Sequence, residues 1–287
     1  MQLLHAVERH LPQGFSIREQ LGAGATSWVY LASRPDDATD GSGARDSRIV
    51  VKVMQSGTMT RDRVERFLRE MRILQKLRHP HIVPLLDPGE VEGAYFYTMP
   101  YVEGGTLGDA IRARGPLPVD EALGIALDVA EALRHAHSCG VVHRDVKPDN
   151  ILLDSGGAYL IDFGYASAPS LTSEGNTARE AGQLVGTPDY VSPEAAAGKR
   201  AGDWRGDFYS LGCVLFEMLA GRPPFAGGES RAVIRRRLDG PAPDVRALRP
   251  EVPEAVAAIV RRCLQRSPND RFPTAGFLCS ALRAARG

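Results

Sequence analysis

Lysine is scarce in this chain of 287 residues. Lys52, Lys76, Lys147 and Lys199 stand alone among 35 basic side chains, and the rest are arginine. Codon bias can produce such a skew, but a chain that uses arginine nearly everywhere also has reason to keep lysine where a compact point charge is needed. Cysteine is equally sparse. Cys139, Cys213, Cys263 and Cys279 are scattered and form no CxxC pair, so neither a disulfide framework nor a zinc site is supported, which suits a reducing cytosol. No apolar run approaches the ~20 residues that a membrane span needs. The opening MQLLHAVERH carries Glu8 and lacks a long apolar stretch, so it makes a poor signal peptide. An excess of one charge is missing too: 35 basic residues face 35 acidic ones, which asks for neither nucleic acid nor an anionic membrane as the main partner. What is present is ordinary globular composition, 43% hydrophobic and 24% charged. That excludes a mainly disordered chain and leaves room for one large domain or two lobes sharing a cleft.

Residues 1–13 can form a short amphipathic helix with Leu3, Leu4, Val7 and Leu11 on one side, although a frayed or surface-packed leader is the plainer reading. From Phe15 the pattern turns to three antiparallel strands, FSIREQLGAG, SWVYLASR and RIVVKVM, the last two joined by a polar Gly/Asp/Ser-rich loop. RDRVERFLREMRILQKL then places Val64, Phe67, Leu68, Met71, Leu74 and Leu77 at helical spacing. HIVPLLDPGE and YFYTMPYV read as two further strands. After Glu103 the character changes to a helix ending at Gly140, a hairpin in ILLD-SGG-AYLID, a buried helix in FYSLGCVLFEMLAG and a later amphipathic helix in VPEAVAAIVRRCLQR. Strands first and helices after give an α+β class with two lobes that meet near Val102–Gly105. The expected division is a leader over 1–13, a β-rich lobe with one main helix over 14–102 and a helical lobe over 103–287.

Three stretches carry chemistry. Leu21-Gly22-Ala23-Gly24 leads through Ser27 to Val29 between two strands, and Gly22 and Gly24 permit a tight turn whose N–H groups can approach phosphates. Alone, the stretch reads more readily as an ordinary glycine-rich hairpin. Lys52 sits in the apolar strand Ile49–Val53, where burial asks for a partner, and Glu70, bordering the buried stripe of the next helix, is the natural one. A strand-edge lysine with a solvated head fits Lys52 equally well. The third stretch is the most specific: His143-Arg144-Asp145-Val146-Lys147-Pro148-Asp149-Asn150, followed after the hairpin by Asp162-Phe163-Gly164. Asp145 can accept a hydroxyl proton and Lys147 can neutralise a transferring phosphoryl group. Asn150 and Asp162 supply hard oxygen ligands suited to Mg²⁺, and the hairpin can bring them to one edge.

With these motifs in order, followed by Ser192-Pro193-Glu194 and by Asp207 with Ser210-Leu211-Gly212, the chain resembles the eukaryotic-type Ser/Thr protein kinases, most closely their bacterial branch. The resemblance covers about residues 14–283. It implies the two-lobed kinase fold and an ATP- and Mg²⁺-dependent transfer of phosphate to Ser or Thr hydroxyls of proteins. Gly22 to Val29 would cover the ATP phosphates, with Leu21, Ala23 and Ser27 in the same loop and Val29 on the adenine. Lys52 would bind the α/β-phosphates and pair with Glu70. Met99 is similar to a gatekeeper and Pro100-Tyr101-Val102 to a hinge; Pro100 keeps its carbonyl and Val102 its N–H, which is all that the binding mode requires. Asp145 would be the catalytic base, Lys147 would stabilise the γ-phosphoryl group and favour Ser/Thr acceptors, and Asn150 and Asp162 would hold Mg²⁺. Arg144 would bind an activation-loop phosphate, Thr187 would hydrogen-bond near Asp145, and Glu194 would pair with Arg271. Asp207 would brace the catalytic loop, a role compatible with its being a plain helix N-cap.

The activation segment runs from Tyr165 to Val191. Related bacterial kinases often have threonines where this chain reads Arg179 and Ala181, so the phosphosite candidates become Thr177, then Thr172 or Ser173, and Glu180 could stand in part for a phosphate charge. The resemblance implies protein substrates, allows a homodimer, and implies a cytoplasmic setting, or a cytoplasmic domain should the chain belong to a longer membrane protein. Two rivals remain: a pseudokinase acting as a nucleotide- or partner-binding module, and a small-molecule phosphotransferase of related fold.

Overall fold

The structure, a computed structural model, describes residues 2–24, 27–34, 48–54, 71, 74–163, 189–198, 203–227 and 229–287. Its contacts divide the chain into two units. The first holds Met1–Arg78 with Val83–Glu103; the second holds His79–Ile82 with Gly104–Gly287.

The first unit opens with helix α1 (Gln2–Glu8), followed by strands β1 (Ser16–Ala23), β2 (Ser27–Ser33), β3 (Arg48–Met54), β4 (Pro88–Val91) and β5 (Ala94–Pro100). They form one antiparallel sheet in the order β1-β2-β3-β5-β4. Strand periodicity sends Ile49, Val51 and Val53 to one face, where they join Ala6, Val7, Leu11, Phe15 and Phe96 in a single apolar cluster. The leader is therefore neither frayed nor laid on the surface: Ala6 and Val7 are fully buried and α1 closes that face of the sheet. The strand expected over 81–90 starts only at Pro88. Pro84 has no N–H to give to a ladder. The residues before it turn to the second unit, where Ile82 bridges Leu160 and the Leu160 N–H donates to the His81 carbonyl at 2.9 Å.

The second unit begins with β6 (Gly105–Thr106) and helices α2 (Leu107–Arg114) and α3 (Val119–Ser138). The hairpin β7 (Ile151–Asp154) and β8 (Gly157–Leu160) follows, and then α4 (Pro193–Ala196), α5 (Arg205–Ala220), α6 (Ser230–Asp239), α7 (Glu254–Cys263) and α8 (Ala275–Arg286). The expectation of a fully buried helix in FYSLGCVLFEMLAG describes α5, which is buried nearly throughout from Asp207 to Leu219. It runs so close to α7 that a Cβ on Gly212 would meet the Cys263 Cβ at 2.5 Å, so only glycine fits there. α2, α4, α6 and α8 were not anticipated. α2 starts at a capping box: the Thr106 hydroxyl accepts from the Asp109 N–H at 3.0 Å and Asp109 Oδ2 accepts from the Thr106 N–H at 3.2 Å. At the entrance to β6, Gly104 has φ 126°, and any side chain there would run into the Leu153 carbonyl of β7.

Candidate active site

The second unit gathers the loop 143–150 and the residues after β8 into one hydrogen-bonded web. The fully buried His143 is its hub. Its Nδ1 accepts from the Asp145 N–H at 3.2 Å, so its Nε2 carries the proton and donates to the Ile161 carbonyl at 2.9 Å. Ile161 in turn donates its N–H to the Asn150 carbonyl at 3.0 Å. The two stretches are thereby zipped together, and Asp162 follows directly from the zipped residue. The His143 ring also meets the edge of Phe163 at 4.5 Å.

Within the loop the chemistry-bearing side chains touch one another. Lys147 Nζ donates to Asp145 Oδ2 at 2.8 Å, and Asn150 Nδ2 donates to the same oxygen and to the Asp145 carbonyl, each at 2.8 Å. Arg144 and Asp162 both hold left-handed backbone, φ 68° and 63°. Such conformations cost about 1–3 kcal/mol each and persist only where the surroundings impose them.

Asp207, in the first turn of α5, imposes much of this. Its Oδ2 accepts from the His143 N–H at 2.9 Å and its Oδ1 from the Arg144 N–H at 2.8 Å, while His137 Nε2 lies 2.8 Å from Oδ2. The N-cap alternative is set aside: Trp204 holds that position, and Asp207 spends its oxygens on the loop. Burial alone would raise the Asp207 pKa; the His137 hydrogen bond and charge, then His143 and the Arg144 N–H, outweigh it and hold the carboxyl below the ordinary carboxylate range. Sequence reasoning missed His137. The available signal was a histidine six residues before the HRD stretch, at the end of a helix that must pack against α5.

A second anchor joins Glu194 at the start of α4 to Arg271. Arg271 Nη1 donates to Glu194 Oε1 at 2.8 Å and Nη2 to Oε2 at 2.7 Å. The remaining donors reach the carbonyls of Gln265, Arg205 and Arg266 at 2.8, 3.0 and 3.1 Å. All five guanidinium N–H groups are thus satisfied on a side chain with 0% exposure. Burial pushes the Glu194 pKa up, but Arg271 outweighs it and keeps the carboxyl below its ordinary range.

The first unit places its residues by sheet register. Gly22 pairs with Val29, Val29 with Lys52 and Lys52 with Tyr97, so these four lie in one row across β1, β2, β3 and β5. Lys52 Nζ stands 5.9 Å from the centre of the Tyr97 ring. The glycine turn closes with the Gly24 N–H on the Ser27 carbonyl at 2.8 Å; Leu21 is exposed, Ala23 ends β1 and Ser27 is buried. Met99 pairs with Val50 and Pro100 with Ile49. After them the Tyr101 N–H donates to the Arg48 carbonyl at 3.3 Å, Arg48 pairs with Glu103, and Val102 is half-buried. Glu70, Gly164, Thr172, Ser173, Thr177 and Thr187 lie outside the described residues. Among the described residues no group of three or more His, Cys, Asp or Glu forms a metal cage.

A family model for the protein kinase domain matches residues 15–281. The chain is 38% identical over 274 residues to serine/threonine-protein kinase PknH of Mycobacterium bovis, covering 94% of this chain and 44% of that protein. It is 36% identical over 277 residues to serine/threonine-protein kinase PknE of Mycobacterium tuberculosis, with 94% and 46% covered. To serine/threonine-protein kinase PrkC of Bacillus subtilis it is 36% identical over 273 residues, with 94% and 40% covered. The chain thus spans less than half the length of these relatives. With its α+β architecture, HRD loop and DFG stretch, it belongs to the protein kinase domain family, among the bacterial serine/threonine-protein kinases of eukaryotic type.

Proposed function

We propose that the chain transfers the γ-phosphoryl group of ATP to Ser or Thr hydroxyls of proteins. The observation that carries this reading is the Asp145–Lys147–Asn150 web: a carboxylate, an ammonium and an amide within hydrogen-bond reach, locked by backbone bonds to the residue before Asp162. Asp145 orients the acceptor hydroxyl and takes its proton as the oxygen attacks. Lys147, now resting on Asp145, neutralises charge on the transferring group. Catalysis of this kind is mainly positioning and electrostatics, so a loop that holds its charges in advance is what the reaction asks for.

The donor set of the second unit fits Mg²⁺. Asn150 commits its amide nitrogen to Asp145, which leaves the amide oxygen for a hard cation, and Asp162, the residue after the Ile161 that bonds to the Asn150 carbonyl, adds a carboxylate. When bound, Mg²⁺ would screen the phosphate charges. The first unit would serve as the nucleotide-binding lobe. There the row Gly22–Val29–Lys52 supports a phosphate-side role for the glycine turn and Lys52, with Glu70 as the lysine's partner, and Met99, Pro100 and Val102 would line the adenine edge. The second unit would supply catalysis and peptide binding. Arg144 would receive a phosphate from the activation segment, on Thr177 before Thr172 or Ser173, and Thr187 would bond near Asp145. Glu194, Arg271 and Asp207 hold the frame. No described helix is long and apolar enough to cross a membrane; a cytoplasmic setting and a homodimer belong to this proposal.

Incubation with Mg²⁺ and ATP, followed by mass-spectrometric mapping, tests the reading against Asp145→Asn and Lys52→Met. Phosphate on Ser or Thr in the wild type alone is expected. Saturable ATP binding without any transfer would replace the kinase with a nucleotide-binding module.

A further inference from the structure

The second unit carries a groove of about 720 Å³ that the catalytic chemistry does not use. It lies between the turn at Arg222–Gly227, helix α6 and the stretch 240–248. Its apolar wall is built from Pro223, Pro224, Pro241, Pro243 and Leu248. Prolines offer no N–H, so those four wall positions have no backbone donor to give. Leu248 leaves 42% of its surface exposed there, a large apolar side chain without cover.

The donors sit on the rim instead, as Arg222, Arg235 and Arg236. Arg236 gives its Nη2 to the carbonyls of Phe225 (2.8 Å) and Gly227 and so fixes the turn. Arg222 is exposed, and among the described residues Arg235 is tied to Asp239 alone, at 3.2 Å. Both members of that pair face solvent, at 84% and 66% exposure, so the tie is weak and open to exchange. The whole chain has formal net charge +0, yet α6, SRAVIRRRLD, carries four arginines against one aspartate. Of these, Arg235 and Arg236 line the groove together with Arg222, against the single carboxylate of Asp239, which leaves a positive excess there.

The inner face of the same helix points to what binds. Arg237 is fully buried between Tyr209 and Phe225, and its Nη2 donates to the Asp189 carbonyl at 2.6 Å. Asp189 lies two residues after Thr187, near the end of the activation segment 165–191 on which the proposed function places a regulatory phosphate. One face of α6 thus closes on the end of that segment while the other lines the groove. We infer that the groove docks a segment of the protein substrate: a stretch rich in Asp and Glu with a Leu or Phe anchor, the anchor against Leu248 and the prolines, and the carboxylates on Arg222 and Arg235. The inference rests on the protein-kinase reading for its substrate.

Two acceptor peptides test it, identical around the phosphorylated serine, one extended by a Glu-Glu-Leu-Glu-Phe-Glu tail. The tail is expected to lower KM about tenfold with kcat unchanged, the scale of one buried anchor with charge support. Arg222→Glu with Arg235→Glu, or Leu248→Asp alone, should remove that gain and leave the untailed peptide unaffected. Equal KM values for the two peptides, or a gain that survives the variants, would overturn the docking site. Should neither peptide be phosphorylated, the kinase reading fails, and polarisation of the fluorescein-labelled tail still decides the groove: binding lost in the same variants supports it, and no binding refutes it. A dimer in sedimentation that dissolves in these variants, with no tail binding, would make the groove a contact between copies and overturn the proposal.

Discussion

The two units hold their functional side chains by different means. In the first, Lys52 is placed by strand register: β3 lies between β2 and β5, and the pairing fixes Val29 and Tyr97 as its neighbours. In the second, the loop 143–150 belongs to no sheet and includes a strained residue, so its shape comes from side chains brought by other elements. Asp207 arrives on α5, His137 on α3 and the Ile161 carbonyl from the end of β8. A ladder supplies its own hydrogen bonds, whereas an irregular loop must borrow them. A substitution at Lys52 should therefore remove chemistry and spare the fold, and one beneath the loop should cost both.

The largest expected effect is on activity. Asp145→Asn should lower kcat by about 10²–10⁴-fold, the usual contribution of a positioned base, with the thermal midpoint little changed; steady-state kinetics and a melting curve check both halves. Next comes the buried ion pair. Glu194→Ala strands the Arg271 cation in the interior, and urea unfolding should show a loss of about 3–5 kcal/mol. Smaller is Val7→Ala in α1. Removing two fully buried carbons should cost about 1.6 kcal/mol at ~0.8 kcal/mol each, and no measurable change would mean that α1 does not close the sheet.

The smallest effect concerns pH. The Asp207 and Glu194 carboxyls are held below their ordinary values of 3.8 and 4.5, so their stabilisation is present at neutral pH and is lost as pH falls below those values. His79 is held below 6.5 by burial, then by His135 and His81, against Glu131 and with Arg134. Its unfolded form takes the proton first, so stability is full above 6.5 and declines as pH falls beneath it. Urea titrations should show that decline, flattened below pH 6.5 by His79→Gln; an unchanged slope would clear His79.

What could be read in the sequence follows the same division. Strands with period-two apolar pattern, such as RIVVKVM, and the long helices α3 and α5 announce themselves, as do the motif residues from Lys52 to Asp162. The leader's stripe was visible at Leu3, Leu4, Val7 and Leu11, but its burial was not, because amphipathicity does not say what covers the apolar side. β6 has two residues, too few for any period. α6 carries four arginines in ten residues, which reads as a solvated run until Arg237 is seen buried. Asp207 drew two readings because an acidic residue opening a helix serves equally as a cap or as a brace. Only the loop lying against it, with His137, decides.

Amide hydrogen exchange across His143–Asn150 tests that contrast most directly, measured with kinase activity in Asp207→Asn and Lys52→Met. Asp207→Asn is expected to speed exchange throughout the loop and to reduce transfer. Lys52→Met should abolish transfer while the loop exchanges as in the wild type. A loop that stays equally protected and active in Asp207→Asn would contradict the account.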